Sequence, residues 1–189
     1  MIKIAIKHRC AWCEKDDLYR NYHDNEWGKP VYDDATIFEF LILETFQAGL
    51  SWYTVLAKRE NFRKAFDDFD WNTIAKYSEE KMAELAEDSG IIRNKLKIKA
   101  TVTNAQAFLK VQEEFGSFSK YIWGFVDGKP IDNQPQTLKD VPATTPISDA
   151  LSKDLKKRGF KFVGSTVVYA HMQATGMVND HVMNCFTRK

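Results

Sequence analysis

Residues 148–166 read SDALSKDLKKRGFKFVGST, a helical stretch, a turn bounded by Gly159 and Gly164, and the opening of a second helix. Ser148 suits an N-cap and Gly159 a stop, so one helix is expected between them. A second is expected from about Ser165 to Thr175, with Gly176 as its end. Glycines at both ends of the turn let the backbone come close to a partner, and the amides opening the second helix present the positive end of its dipole. Lys153, Lys156, Lys157, Arg158 and Lys161 surround the turn, and the hydroxyls of Ser165 and Thr166 follow it. This is a helix-hairpin-helix pattern over about 149–175, suited to phosphate contacts that position a protein on DNA without reading sequence and that weaken with salt. From spacing alone, a tight turn on a solvated basic face fits equally well.

The rest of the chain is also patterned for helices. Asp33 or Asp34 can cap a segment running to about Ala48, and apolar spacing predicts a helix over Trp52–Phe66. Ser78 opens another to Asp88, with Glu79 and Glu80 in its first turn and Gly90 as its stop. Ile98, Val102, Ala105 and Leu109 recur at helical intervals, and a short helix is expected from Ser119 to Gly124. Pro130, Pro135, Pro142 and Pro146 forbid regular structure over 127–146, the one long loop. Strand patterns are missing, so the expected fold is all-α.

At 189 residues the chain suits a single domain, 1–189, of two helical lobes. Three cysteines are too few for a secreted disulfide framework, the MIKIAIKHR start is no signal peptide, and no apolar run approaches a membrane span. A soluble, cytoplasmic monomer is expected, and the segment before Arg9 reads as dispensable surface. The net charge of +1 means that DNA binding would need a local patch.

Both ends carry metal-type ligands: Cys10 and His23 near the start, His181-x3-Cys185 near the finish. Two thiolates and two imidazoles match zinc, and four protein ligands close its shell, so such a site staples the chain and does not hydrolyse. Cys13 forms a C-x2-C pair with Cys10 and competes with His23 as the fourth ligand. Glu44 is the other unusual residue. Ile37, Phe40, Leu41, Glu44 and Ala48 share one helical stripe, which places a carboxylate among apolar side chains. A buried acid needs a cation, hydrogen-bond donors or a use for its perturbed proton affinity. Trp12, Tyr19, Tyr22, Trp27 and Trp52 supply aromatic rings that pack a core or sandwich a flipped nucleobase.

The stretches RCAW, DDLYRNYHDNEWG, LETFQAGLSWYTVLAKRENFRKAF, SGIIRNKLKIKA, DALSKDLKKRGFKFVG and GMVNDHVMNC occur in this order and closely resemble the DNA-3-methyladenine glycosylase I family. The resemblance runs from about Arg9 to Cys185. It implies a helix-hairpin-helix base-excision repair enzyme acting on double-stranded alkylated DNA, with a structural zinc joining residues 10–23 to 181–185. It places the zinc ligands at Cys10, His23, His181 and Cys185. The pocket falls on Trp12, Tyr19, Tyr22, Glu44 and Trp52. Tyr22 and Glu44 would hydrogen-bond the 3-methyladenine base, Trp52 would stack on it, and Glu44 is the candidate catalytic residue. Gly49 and Leu50 match the loop that fills the gap left in the duplex, and Gly159, Lys161, Gly164, Ser165 and Thr166 match the phosphate clamp. Related enzymes carry an aspartate in a V-D-T-H-like run; here Val178-Asn179-Asp180-His181 stands instead, and the resemblance is to the branch without that acid. The competing expectation is a zinc-stapled DNA-binding module without catalysis, with Glu44 structural and the aromatics in the core.

Overall fold

The computed structural model describes residues 7–188, so residues 1–6 of the segment read as dispensable surface lie outside the described residues. Side-chain caps place most helix starts. Asp16 accepts from the Tyr19 amide to open α1 (Asp17–Asn25), and Asp33 accepts from Thr36 to open α2 (Asp34–Gln47). Asp34 instead accepts from the amides of Phe118 and Ser119 and from Gln112, tying α2 to two later helices. Asn94 opens the long α7 (Lys95–Phe115), which ends on Gly116 at φ +82°.

The helix expected over Trp52–Phe66 is two, α3 (Trp52–Leu56) and α4 (Arg59–Ala65). The break has no glycine or proline to announce it. Lys58, at φ −103° and ψ 3°, leaves helical geometry and donates to the carbonyls of Ser89 and Gly90, a tie across about thirty residues. Next come α5 (Trp71–Ile74), α6 (Glu79–Glu87), capped by Ser78 as expected, and α8 (Phe118–Trp123), capped by Ser117. Asp88 ends α6, two residues before the expected stop at Gly90.

The expected cap at Ser148 is corrected to Thr145, which opens α9 (Pro146–Lys157) in a reciprocal box with Ser148 and with proline in the first turn. The last helix is α10 (Ser165–Ala174). The fold is helical, but not wholly so. Ile131–Asp132 (β1) pairs in parallel with Val178–Asn179 (β2), and the Met183 amide donates to Pro135, so the proline-rich stretch is tied to the chain just before and after His181.

Buried side chains form one continuous apolar core from Tyr22 to Val178. α2 is apolar on every side, with Ile37, Phe38, Phe40, Leu41, Ile42, Leu43 and Phe46 all buried, which makes it the central helix. α7, α8 and α10 pack around it, and α9 packs on α10. One ionisable residue on this central helix is therefore carried into the interior: Glu44, 3 % exposed. Among the described residues no helix is long and apolar enough to cross a membrane.

Candidate functional site

Glu44 forms the floor of a cavity of about 320 Å³ walled by Trp12, Tyr19, Tyr22, Trp27, Gln47, Trp52, Leu138, Val141, Ala170, Gln173 and Asp180. All five residues expected in a pocket line it together. They come from separate elements: Trp12 from a 3-10 turn (Ala11–Cys13), Tyr19 and Tyr22 from α1, Glu44 from α2, Trp52 from the start of α3. The Tyr22 and Trp52 rings lie 5.3 Å apart, and Trp12 meets Tyr19 and Trp27 edge-on at 4.9 and 5.0 Å.

The polar atoms here are unusual. Glu44 Oε2 and Trp52 Nε1 are buried without a hydrogen-bond partner in the protein. The neighbouring buried cation, Arg59, is committed to Glu26 and Glu39 and offers Glu44 no pairing. Burial alone pushes the Glu44 carboxyl up to about 8. Burial also raises Tyr22, with the facing Glu44 adding to the effect. A structural carboxylate would be satisfied by an arginine or by amides; this one is aimed into a cavity with unused hydrogen-bonding capacity, the arrangement that marks a ligand site.

Several lining residues escaped the sequence reading. Gln47 follows Glu44 by three positions on α2, so helical spacing alone would have found it. Asp180, 1 % exposed, accepts from Tyr169 Oη at 2.7 Å, Gln173 Nε2 at 2.8 Å and Asn133 Nδ2 at 2.7 Å. That places in the wall an acid held by three donors, two from α10 and one from the residue after β1; only the pairing of β1 with β2 reveals it. Leu138 and Val141 come from the stretch expected to be one long loop.

Behind the aromatic wall the two ends of the chain meet. Ligand atoms of Cys10, His23, His181 and Cys185 all lie within 4.8 Å of one another, and all four residues are buried. Cys10 Sγ and Cys185 Sγ each lie 3.6 Å from His181 Nδ1, and Cys185 Sγ lies 3.5 Å from His23 Nε2. The far ring nitrogens are engaged as well: His23 Nδ1 with Asp24 at 2.8 Å, His181 Nε2 with the Trp27 carbonyl at 3.1 Å. Such outer partners fix ring orientation in metal sites. Burial raises the Cys10 thiol to about 12 and, with His23 adjacent, lowers His181 to about 4. The group could hold a metal ion. Cys13, offered as a fourth ligand by the sequence, is outside it: its thiol donates to the Cys10 carbonyl. Gly28, at φ +75°, has no room for a side chain, since a Cβ would lie 2.8 Å from His181 Nε2.

The loop after α2 and the start of α10 share a groove leading from the cavity, lined by Glu44, Gln47, Gly49, Leu50, Thr166 and Val167. Leu50 is 45 % exposed beside Gly49 at φ +80°. In the turn, Gly159 has φ +96°, and Gly164 opens α10 without any side-chain cap. Ser152 Oγ donates to the Val163 carbonyl, and the Ser148 and Ser165 hydroxyls are 2.8 Å apart. Lys153, Lys156, Lys157 and Lys161 are exposed. Arg158 is not free for a partner: it pairs with Asp154 and Glu114 and lies over the rings of Phe115 and Tyr121.

Residues 12–188 match the family model described as methyladenine glycosylase. Over 177 residues the chain is 51% identical to DNA-3-methyladenine glycosylase 1 of Escherichia coli K12, covering 94% of this chain and 95% of that one. It is 48% identical to a DNA-3-methyladenine glycosylase of Haemophilus influenzae, covering 94% and 96%. The solved 3-methyladenine DNA glycosylase I of Staphylococcus aureus, described with its structural basis of 3-methyladenine recognition, superposes with a TM-score of 0.93 at 39% identity over 96% of each chain.

Proposed function

The chain belongs to the methyladenine glycosylase family, and on that premise we propose that it is a monofunctional DNA glycosylase of base-excision repair. Water attacks C1′ of the damaged nucleotide, the bond to N9 of 3-methyladenine breaks, and an abasic site remains. The observation that carries this reading is the buried, unpartnered Glu44 oxygen on the floor of an aromatic cavity.

The chemistry follows from the substrate's charge. Methylation at N3 makes the base cationic, so the glycosidic bond is already weakened and no strong acid is needed to protonate the leaving group. What the protein must do is extract the base, hold it and exclude bulk water. A cation against the faces of Trp52, Tyr22 and Trp12 gains about 2 kcal/mol of cation–π attraction when desolvated. The Glu44 carboxylate adds Coulomb attraction in a low-dielectric site and can accept from the exocyclic amine, with Tyr22 as a second hydrogen-bonding partner. An uncharged adenine would offer that carboxylate the same amine but no positive charge to offset its desolvation, which supplies discrimination. No lysine nucleophile lines the cavity, in keeping with hydrolysis and not with Schiff-base chemistry.

The duplex is assigned to the groove and turn of a helix-hairpin-helix. Gly159, Lys161, Gly164, Ser165 and Thr166 hold phosphates, the uncapped amides of α10 supply donors, and Gly49 and Leu50 occupy the space of the extruded nucleotide. Cys10, His23, His181 and Cys185 hold one structural zinc. Zinc bonds of about 2.3 Å to sulfur and 2.0–2.1 Å to nitrogen at tetrahedral angles set S···N edges near 3.5–3.6 Å, and the observed separations are 3.5 and 3.6 Å. A closed shell of four protein ligands leaves the ion a staple. Residues 1–189 act as a single catalytic domain, a cytoplasmic monomer. Incubation with methylated duplex DNA and chromatography of the released bases tests the function: free 3-methyladenine is expected, and duplex binding without base release would establish the non-catalytic module instead.

A further inference from the structure

Lys97 is only 5 % exposed, and its Nζ donates to the carbonyls of Phe46 at 2.8 Å and Ala48 at 2.6 Å. These are the last carbonyls of α2, the negative end of its dipole, where a cation is favoured. Burying an ammonium is nonetheless costly, and a glycine cap would satisfy a helix end without one. Here the carbonyls belong to the point at which the chain leaves the helix carrying Glu44, turns through Gly49 and Leu50, and enters α3 at Trp52. Lys97 fixes that exit.

Seven residues further along α7, Asn104 is fully buried. Its Oδ1 accepts from the Lys161 amide at 2.7 Å and its Nδ2 donates to the Lys161 carbonyl at 3.1 Å. One side chain thus clamps both backbone groups of a residue inside the turn between α9 and α10, next to Phe162, a non-glycine residue at φ +56°. A seven-residue separation is two helical turns, about 10 Å along the axis and on one face. The same face of a single rigid helix therefore grips the loop after α2, which lines the groove leading to Glu44, and the turn that leads into α10, whose first residues Thr166 and Val167 form the groove's other side.

We propose that α7 is a strut that sets the spacing between these two elements, with Lys97 and Asn104 as its positioning residues, so that a duplex seated on the turn meets Leu50 and the cavity in register. This rests on the glycosylase reading above. Neither residue lines the cavity that would receive the base, so their loss should harm work on duplex DNA and spare the base site. Misplacement by about 1 Å away from the chemistry is enough to cost roughly a hundredfold in rate.

The test uses the full chain with three readouts: excision from methylated duplex, binding of free 3-methyladenine by tryptophan fluorescence, and thermal melting. Lys97→Met keeps the stem and removes the charge; kcat is expected to fall roughly tenfold or more with KM little changed, because the loop that enters the duplex is loosened. Lys97→Arg, which keeps a cation and donors, should recover part of that loss. Asn104→Ala should raise KM roughly tenfold, because the phosphate-holding turn is loosened, and Asn104→Ser is read in parallel in case the alanine variant folds poorly. Affinity for the free base should stay within about twofold throughout. A fall of excision and free-base affinity together, tracking melting temperature, would show a merely structural role and overturn the strut; so would variants with wild-type kcat and KM. A wild type that releases no base overturns the glycosylase reading and the strut with it, whereas an active wild type beside unaffected variants overturns the strut alone.

Discussion

The join of the two termini and the floor of the cavity lie on opposite sides of the same aromatic wall, and they treat polar groups in opposite ways. At the join every donor is committed: both histidines use their second nitrogen on a carboxylate or a carbonyl, and the near nitrogens and sulfurs face one another at 3.5–3.6 Å. On the floor, Glu44 Oε2 and Trp52 Nε1 have no partner at all. The saturated region has stability as its product. The unsaturated one gives stability up, and the wall formed by Trp12, Tyr19, Tyr22 and Trp27 is what lets the first support the second.

Breaking the saturated side should have the largest effect. Structural zinc sites contribute apparent binding energies on the order of 10 kcal/mol, and removing one ligand forfeits much of this. Cys185→Ser or His23→Ala is expected to lower metal content below one per chain and to drop the melting temperature by roughly 10 °C or more. Unchanged melting with metal absent would erase the distinction between the two regions.

Glu44→Gln probes the other side and should move activity and stability in opposite directions. Excision is expected to fall roughly a hundredfold, because the charge facing the cationic base is gone. Stability should rise, and only at the alkaline end. The folded carboxyl sits at about 8, above the ordinary glutamate value of 4.5, so its protonated form favours the fold fully below about 4.5, and that contribution is lost as pH climbs to 8. The wild type should therefore lose on the order of 4 kcal/mol across this window, and the variant should not. Melting curves at pH 5 and 8 for both proteins check it; parallel pH dependence would mean that Glu44 is satisfied in solution. In the same way, kcat/KM of the wild type should rise with pH until about 8, where the free carboxyl ionises.

Smaller effects refine the boundary. Tyr22→Phe removes one hydroxyl facing the cavity and should weaken free 3-methyladenine binding by roughly tenfold, with little change in melting, as judged by fluorescence titration. Cys13→Ser should do least: one metal per chain retained and excision within about twofold, because its thiol only caps a carbonyl. A loss of metal in that variant would restore Cys13 as a ligand.

How much of this was readable in advance depends on how far each contact reaches along the chain. Glu44 could be found because helical spacing alone puts it among Ile37, Phe40 and Leu41. The four clustered ligands could be proposed because cysteine and histidine are rare and carry their chemistry with them, yet the choice between His23 and Cys13 needed the fold. Lys97, Asn104 and Asp180 gave no signal. Their partners lie about fifty residues away in the first two cases, and among α10, β1 and its flank in the third; no local pattern distinguishes such a lysine or asparagine from a solvated one. The split between α3 and α4 was missed for the same reason, since Lys58 answers to Ser89 and Gly90. Thr145 displaced Ser148 as a cap through purely local chemistry, and there the Thr-Pro pair was the overlooked clue.

The meeting of residues 10 and 23 with 181 and 185 also sets a schedule. A ribosome adding about 5–20 residues each second needs on the order of ten seconds between making His23 and making His181. Through that interval the first two ligands have no counterparts, and Trp12, Tyr19 and Tyr22 have nothing to hold them over Glu44. The central helices can collapse early. The wall of the cavity is completed late, because its support waits for residues 181–185. Residues 181–185 are thus late arrivals on which the packing of a much earlier segment depends.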